Sequence, residues 1–291
     1  MDNAESSEIS EQKQGVAGIF GRAASTYDRV GPRFFSHFGR RLVDFAQIPS
    51  GARVLDIATG RGAVLFSAAD AVGPGGSVTG IDFSKEMVQG NREEIERLKL
   101  QNIEVREMDA EHLEFPDGTF DCVLCSFAIF FFPQLDHALA EMVRVLKPNG
   151  RIAVTTWGTR DERWNWLDDL IKSYLSPEPE KEQTPDPRSA GEPVFNTPEG
   201  LEAILASAGF VDIKIISEAK EFTYADEEEW WSTQWSHGFR KALEAIEKKM
   251  GEDDLKRFQA DAFRAMKVIK QLDRFPQTFS ALFGLGFKPE A

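Results

Sequence analysis

Residues 54–62 read VLDIATGRG: an apolar run interrupted by Asp56, then Ala58, Gly60, Arg61 and Gly62. Two glycines at the end of an apolar run mark a loop whose backbone comes close to a ligand. A carboxylate at the mouth of that loop restricts which ligand. The dinucleotide pattern G-x-G-x-x-G needs a third glycine where Leu65 stands, and a pyrophosphate would meet Asp56 with like charge. The P-loop pattern needs a G-K-[ST] that does not follow.

A phosphate-free nucleoside carrying positive charge removes the conflict. S-adenosylmethionine has a sulfonium and an ammonium, and either makes Asp56 favourable, directly or through a water. A ribose also needs a carboxylate at the end of the next strand to accept from its two hydroxyls. Asp82 stands there, 26 residues after Asp56, about one strand-helix-strand step; a purely structural carboxylate is the alternative. Asp109 ends the third apolar segment, where an acid can accept from an adenine amino group while the Ala110 N–H donates to the ring. Met87 follows Asp82 on a helix and either packs on the purine or belongs to the core.

The remaining reactive side chains are few. The histidines are His37, His112, His137 and His237. His112 and His137 read as surface residues. His237 lies in WWSTQWSHGF, an aromatic stretch able to roof a pocket, and is either a general base or a helix-surface residue. Cys122 and Cys125 match C-x-x-C as text, but on a strand they point to opposite faces, and there is no second pair, so packing is expected rather than a metal site. Trp230, Trp231 and Trp235 recur at helical spacing, which fits core or lid packing better than base stacking.

The elements that must position these groups alternate. Strands are predicted over 53–57, 77–82, 103–109, 120–129 and 151–158, with helices over 62–72, 84–100 (capped by Ser84) and 134–150 (stopped by Pro148 and Gly150). This rhythm gives an α/β fold with a mostly parallel sheet and helices on both faces. Residues 1–14 are expected to be disordered, and two short helices between Val16 and Phe45 break near Gly31-Pro32. Residues 176–198, rich in Pro and charge, read as a mobile loop. A helix over 197–210 with Thr197 as N-cap, a strand over 211–219, helices over 227–249 and 252–273, and a strand over 278–287 complete the chain. The division is a tail (1–15), entry helices (16–50), a Rossmann-like core (51–158) and a substrate cover (159–291).

Composition sets bounds. Of 291 residues 42% are hydrophobic, enough for a sizeable core. The net charge of -14 argues against a nucleic-acid or anionic-membrane partner. Two cysteines exclude a disulfide scaffold, the acidic start is no signal peptide, and no apolar run spans a bilayer, so a cytoplasmic protein is expected.

VLDIATGRG, VTGIDFSKEMV, MDAEHLEFPDGTFDCVLCSFAI and VLKPNGRIAV together resemble the class I S-adenosylmethionine-dependent methyltransferases, in particular the ubiquinone/menaquinone-biosynthesis C-methyltransferases and their small-molecule relatives. The resemblance covers about residues 16–158 and implies a seven-stranded sheet whose last strand is antiparallel. It implies that Asp56, Ala58 and Gly60 line the methionine end, with Gly62 in the same loop and Arg61 touching the cofactor. Asp82, followed by Phe83, would hold the ribose, and Asp109 and Ala110 the adenine. Ser126 and Phe127 would flank the methionine moiety. FGRAASTYD is similar to the family's entry helix, so Tyr27 would close over the cofactor. Tyr27 and Phe127 are candidates for an aromatic face on the sulfonium, worth ~0.5–2 kcal/mol.

The sequence departs from the quinone enzymes after the fourth strand, where Ile129-Phe130-Phe131-Phe132 replaces their Arg-Asn pair, and throughout 159–291. Methyl transfer to a small, hydrophobic or aromatic acceptor, at O, C or N, is the function expected. The alternatives are a protein that binds S-adenosylmethionine without transferring methyl, and a nicotinamide oxidoreductase disfavoured by Asp56 and Leu65. Residues 159–291 either pack as a lid or mediate a homodimer.

Overall fold

The computed structural model describes residues 3–175 and 194–290. The expected mobile loop therefore lies mostly outside the described residues. A seven-stranded sheet runs in the order β3-β2-β1-β4-β5-β7-β6. Its strands are β1 (Arg53–Ile57), β2 (Ser77–Asp82), β3 (Ile103–Glu107), β4 (Phe120–Ser126), β5 (Leu146–Trp157), β6 (Val211–Tyr224) and β7 (Phe275–Phe287). Strand β7 runs antiparallel to both neighbours, and the β1–β5 pairings are parallel. The chain moves outward from β1 to β3 and returns at β4, so the crevice opens between the carboxyl ends of β1 and β4.

The parallel strands are apolar on both faces because helices cover both. Alternate residues go to different cores. Val54, Cys122 and Leu124 pack with α2 (Phe34–Ala46), α3 (Leu65–Val72) and Val88 of α4 (Lys85–Leu98). Leu55, Ile57, Val123 and Cys125 pack with α5 (Leu135–Val145) and α7 (Pro198–Ser207). The two cysteines are thus free, buried and on opposite faces. Burial pushes the Cys122 thiol up to about 12. Among the described residues no group of three or more His, Cys, Asp or Glu is placed to hold a metal, and no helix is long and apolar enough to cross a membrane.

Several boundaries differ from expectation for local reasons. Segment 1–14 is not disordered from Asn3 onward, because it belongs to α1 (Asn3–Ala23). Its polar residues find partners: Lys13 pairs with Asp109 and Glu111, and Arg22 with Glu244. Helix α5 ends at Val145, before Pro148, because Leu146 already pairs with Phe120 and Asn149 turns left-handed at φ 59°. Ser84 and Thr197 act as N-caps, accepting from the Met87 and Gly200 N–H groups. The predicted helix over 227–249 is two helices, α8 (Glu227–Trp235) and α9 (Arg240–Met250), followed by α10 (Glu252–Met266).

Strands β6 and β7 are longer than predicted. Trp157, at the end of β5, pairs with Ala281, so β7 residues 275–280 continue beyond the carboxyl edge of the sheet, paired with β6 as far as Tyr224. That two-stranded extension carries α8–α10, joined by α6 (Trp166–Leu175). The tryptophans make this cover's own core: the rings of Trp164 and Trp230 stack at 5.9 Å, and Trp231 packs on Phe258 at 6.2 Å. Trp230 and Trp231 therefore build the roof from within rather than facing the space below it.

Candidate active site

The loop after β1 is held from beneath. Asp56 is buried and accepts a 2.6 Å hydrogen bond from the Thr59 hydroxyl, while the Thr59 N–H donates to the Ile81 carbonyl. Burial, with Asp82 nearby, pushes the Asp56 carboxyl up to about 7 against the pull of Thr59. Gly60 turns left-handed at φ 52°; its N–H donates to Asp82 Oδ2 at 2.8 Å and its carbonyl accepts from Asn91 Nδ2 at 2.8 Å. Gly62, at φ 83°, leaves no room for a Cβ, which would lie 2.3 Å from the Phe66 ring.

Asp82 is the hub of the crevice. Oδ2 takes the Gly60 N–H and Oδ1 takes the Ser84 N–H at 2.9 Å. Each oxygen keeps a lone pair for a hydroxyl, the arrangement a vicinal diol requires. Burial pushes this carboxyl up to about 6. Just beyond the end of β3, Asp109 accepts from the Glu111 N–H at 2.9 Å and from Lys13 at 2.7 Å. Burial works against its charge, but the Lys13 ammonium holds it below the usual carboxylate range.

These groups enclose a first chamber beneath α1. Its floor and walls include Ala58, Gly60, Asp82, Phe83, Met87, Asp109, Ala110, Ser126 and Phe127, with Tyr27 at one end. Three expected residues do not line it. Asp56 lies under the loop and braces Thr59. The Arg61 guanidinium turns away to the carbonyls of Ala24, just past α1, and Gly90, within α4, at 2.9 and 3.0 Å. Gly62 provides the turn into α3. Asp56 and Arg61 thus stand behind the chamber wall rather than on it.

A second chamber of about 490 Å³ adjoins the first, beneath the cover. Phe20, Tyr27, Phe127 and Phe131 line both. Phe127 lies against Trp157 at 4.1 Å between ring centroids, and Tyr27 stacks on Phe35 at 4.9 Å. Ala58 and Phe127 end β1 and β4 in the left-handed region, both at φ 53°, a conformation costing a non-glycine residue about 1–3 kcal/mol. This strain sits at the two carboxyl ends that flank the crevice. Burial, reinforced by Asp28 and Asp82, raises the Tyr27 phenol far above its ordinary value.

His237 lies in the break between α8 and α9 and lines the second chamber, so it is not a helix-surface residue. Burial lowers its imidazole to about 4.

The residues that motif reading missed act from a distance. Asn91 is fully buried and clamps Gly60 from α4, and Lys13 comes from the N-terminal helix. No local pattern marks them, since each is paired with its target only through tertiary packing.

The geometry suits an adenosyl ligand and not a diphosphate. A diol acceptor, an apolar wall that includes Ile81, Met87 and Met108, and a second acid line one chamber, while the loop's guanidinium is turned away. The methyltransferase-domain family profile matches residues 48–190. Nocamycin O-methyltransferase of Saccharothrix syringae is 35% identical over 79% of this chain and 84% of that relative. The chain belongs to the class I S-adenosylmethionine-dependent methyltransferases. Aklanonic acid methyltransferase of Streptomyces sp. strain C5 is 45% identical over 50% of this chain and 67% of its own length. The YcgJ protein of Bacillus subtilis shares the fold at 18% identity, with a TM-score of 0.56, covering 88% of this chain and all of that one. S-adenosylmethionine, the methyltransferase's cofactor, supplies a methyl group activated on a sulfonium.

Proposed function

We propose that this methyltransferase binds the adenosyl end of its cofactor in the first chamber and methylates a small aromatic or apolar acceptor in the second. Asp82 takes the ribose hydroxyls. Asp109 and the Ala110 N–H take the adenine, with Met87 and Phe83 against the purine. Ser126, Phe127, Ala58 and Gly60 surround the methionine end. Tyr27 and Phe127 offer aromatic faces to the cation at the junction.

One observation carries this reading: the two chambers share the wall of Tyr27, Phe127, Phe20 and Phe131, so a molecule in the second meets the end of a molecule in the first. Alignment of this kind supplies much of the rate when the leaving group is already good. The acceptor's apolar character follows from the rings of Phe35, Phe127, Trp157 and Phe279 on the wall. The names of the nocamycin and aklanonic acid relatives support a small-molecule acceptor.

Calorimetry with S-adenosylmethionine tests the first half, and mass spectrometry of products from a panel of phenols, carboxylic acids, amines and quinols tests the second. A protein that binds the cofactor but shifts no panel member by one methyl group would count against transfer to such acceptors.

A further inference from the structure

Among the described residues His237 is the one imidazole on the acceptor wall, and its hydrogen bonding defines what it can do. Its Nδ1 accepts a hydrogen bond from the Phe239 N–H at 3.2 Å. A ring nitrogen that accepts carries no proton, so in the neutral imidazole the proton resides on Nε2. Among the described residues Nε2 has no hydrogen-bond partner, which leaves an N–H available at the chamber wall. The rings of Phe34 and Phe35 meet the imidazole edge-on at 5.9 and 6.4 Å. Burial alone lowers its pKa, with no charged group contributing, so the ring is neutral at physiological pH.

Among the described residues, the other ionisable side chains on that wall are Tyr27, Arg160 and Asp161. The Tyr27 phenol is pushed too high to ionise. Arg160 is a permanent cation, paired with Asp168. Burial opposes the Asp161 charge, yet Arg163 at 2.6 Å and the Thr278 N–H at 2.7 Å hold it low and occupy its oxygens. No member of this set is a free proton acceptor.

We propose that His237 is a substrate-binding residue of the reaction, whose Nε2–H donates to the oxygen of an acceptor that arrives already ionised, as a carboxylate, an enolate or an acidic phenol. The inference rests on the methyl-transfer reading above and narrows its substrate class to oxyanions; it replaces the general-base role that the sequence suggested for His237. The balance is simple. The oxyanion's lone pair forms the new O–C bond to the methyl group, the methyl–sulfur bond breaks with its electron pair left on sulfur, and the product is a neutral ester or ether. No proton leaves the acceptor, so none has to be received by the wall.

Two measurements decide it. In ¹⁵N-histidine-labelled protein, with the signal assigned by H237Q, the His237 ring should show a bare Nδ1 and a protonated Nε2, unchanged between about pH 5 and 9. A protonated Nδ1, or a ring titrating near about 6.5, would overturn the proposal. In methyl transfer to 2-naphthoate and 2-naphthol, the pH profile of kcat/KM should follow each acceptor's own ionisation: flat above about pH 6 for the carboxylate and rising toward about pH 10 for the phenol. H237F should lower kcat/KM about tenfold or more, with H237Q recovering part of it and both profiles keeping their shape. A single inflection shared by both acceptors and erased by H237Q would also overturn it. Failure to bind S-adenosylmethionine would instead sink the transfer reading, and the ring's tautomer would still be read independently.

Discussion

The two chambers are built by different means. The first is backbone work: left-handed turns at Ala58 and Gly60, N–H groups aimed at Asp82, and acids at successive strand ends. The second is side-chain work: rings from the N-terminal segment, β5, β7 and the α8–α9 break, closed by a cover with its own tryptophan core. A ligand fixed in every member of the class can be met by strand-end geometry, which the sheet repeats. An acceptor that varies is better met by side chains on elements appended to that sheet.

Substitutions at the strand ends should therefore alter cofactor binding and spare the acceptor chamber. The largest effect is expected for Asp82→Ala. It removes two charge-assisted acceptors, each worth about 1.5–3 kcal/mol, together with the anchor of the Gly60 N–H. Calorimetry should show S-adenosylmethionine affinity falling about 100-fold or more; an unchanged Kd would remove Asp82 from the site.

Next in size is a pH effect. Because burial holds the free Asp82 carboxyl at about 6, well above the roughly 3.9 of an exposed aspartate, it takes up a proton as the pH falls through that value. If the ligand prefers the carboxylate, affinity should drop by up to about tenfold per pH unit below 6 and level off above it. Asp82→Asn should bind more weakly and lose the slope. The linked effect on stability has the opposite sense. Asp56 and Asp82 bind protons more tightly folded than unfolded, so their contribution is fully present below about pH 4 and is lost as the pH rises through 6 to 7.

Across the shared wall, Trp157→Ala removes the ring packed on Phe127 and widens the second chamber, the proposed acceptor site. The KM for an aromatic acceptor should rise about tenfold, with cofactor Kd altered less than about twofold. Equal changes in both would mean that the chambers are not separable. The smallest effect is expected for Asn91→Ala, which deprives the Gly60 carbonyl of its buried donor. A loss of about 1–2 kcal/mol, seen as a lower Tm, should accompany a few-fold weaker cofactor binding.

The contrast between the chambers also explains what the sequence discloses. Strands β1 and β2 begin and end where VLDIATGRG and VTGID place them, because apolar runs, acids and glycines lie within a few residues of one another. Ser84 and Thr197 are equally local, each capping a helix through an N–H three residues on. The interruption at 236–239, which brings His237 to the wall, carries no proline and one glycine in an otherwise helical pattern. The break is instead visible in its tertiary surroundings: Gly238 packs against the Phe20 ring of α1, 3.5 Å from where a Cβ would stand, and Ser236 is buried. Likewise, the polar start of the chain reads as unstructured until Asp109 and Glu111 provide an anchor about a hundred residues away. Asp56 is the instructive case. Its type and spacing are those of a ligand residue, and the structure adds what the sequence does not show: the Thr59 hydroxyl takes one of its two oxygens and ties it to the loop.

The long β6–β7 ribbon has an architectural consequence. Tyr224 and Phe275 are register partners, so the chain leaves the ribbon and re-enters it at adjacent positions. Residues 225–274 form a cassette whose two ends meet at one rung of a ladder. Such a cassette can be lengthened, shortened or exchanged for another while the sheet keeps its register, and because it carries His237, Gly238 and Phe239, one hairpin can refit part of the second chamber's wall.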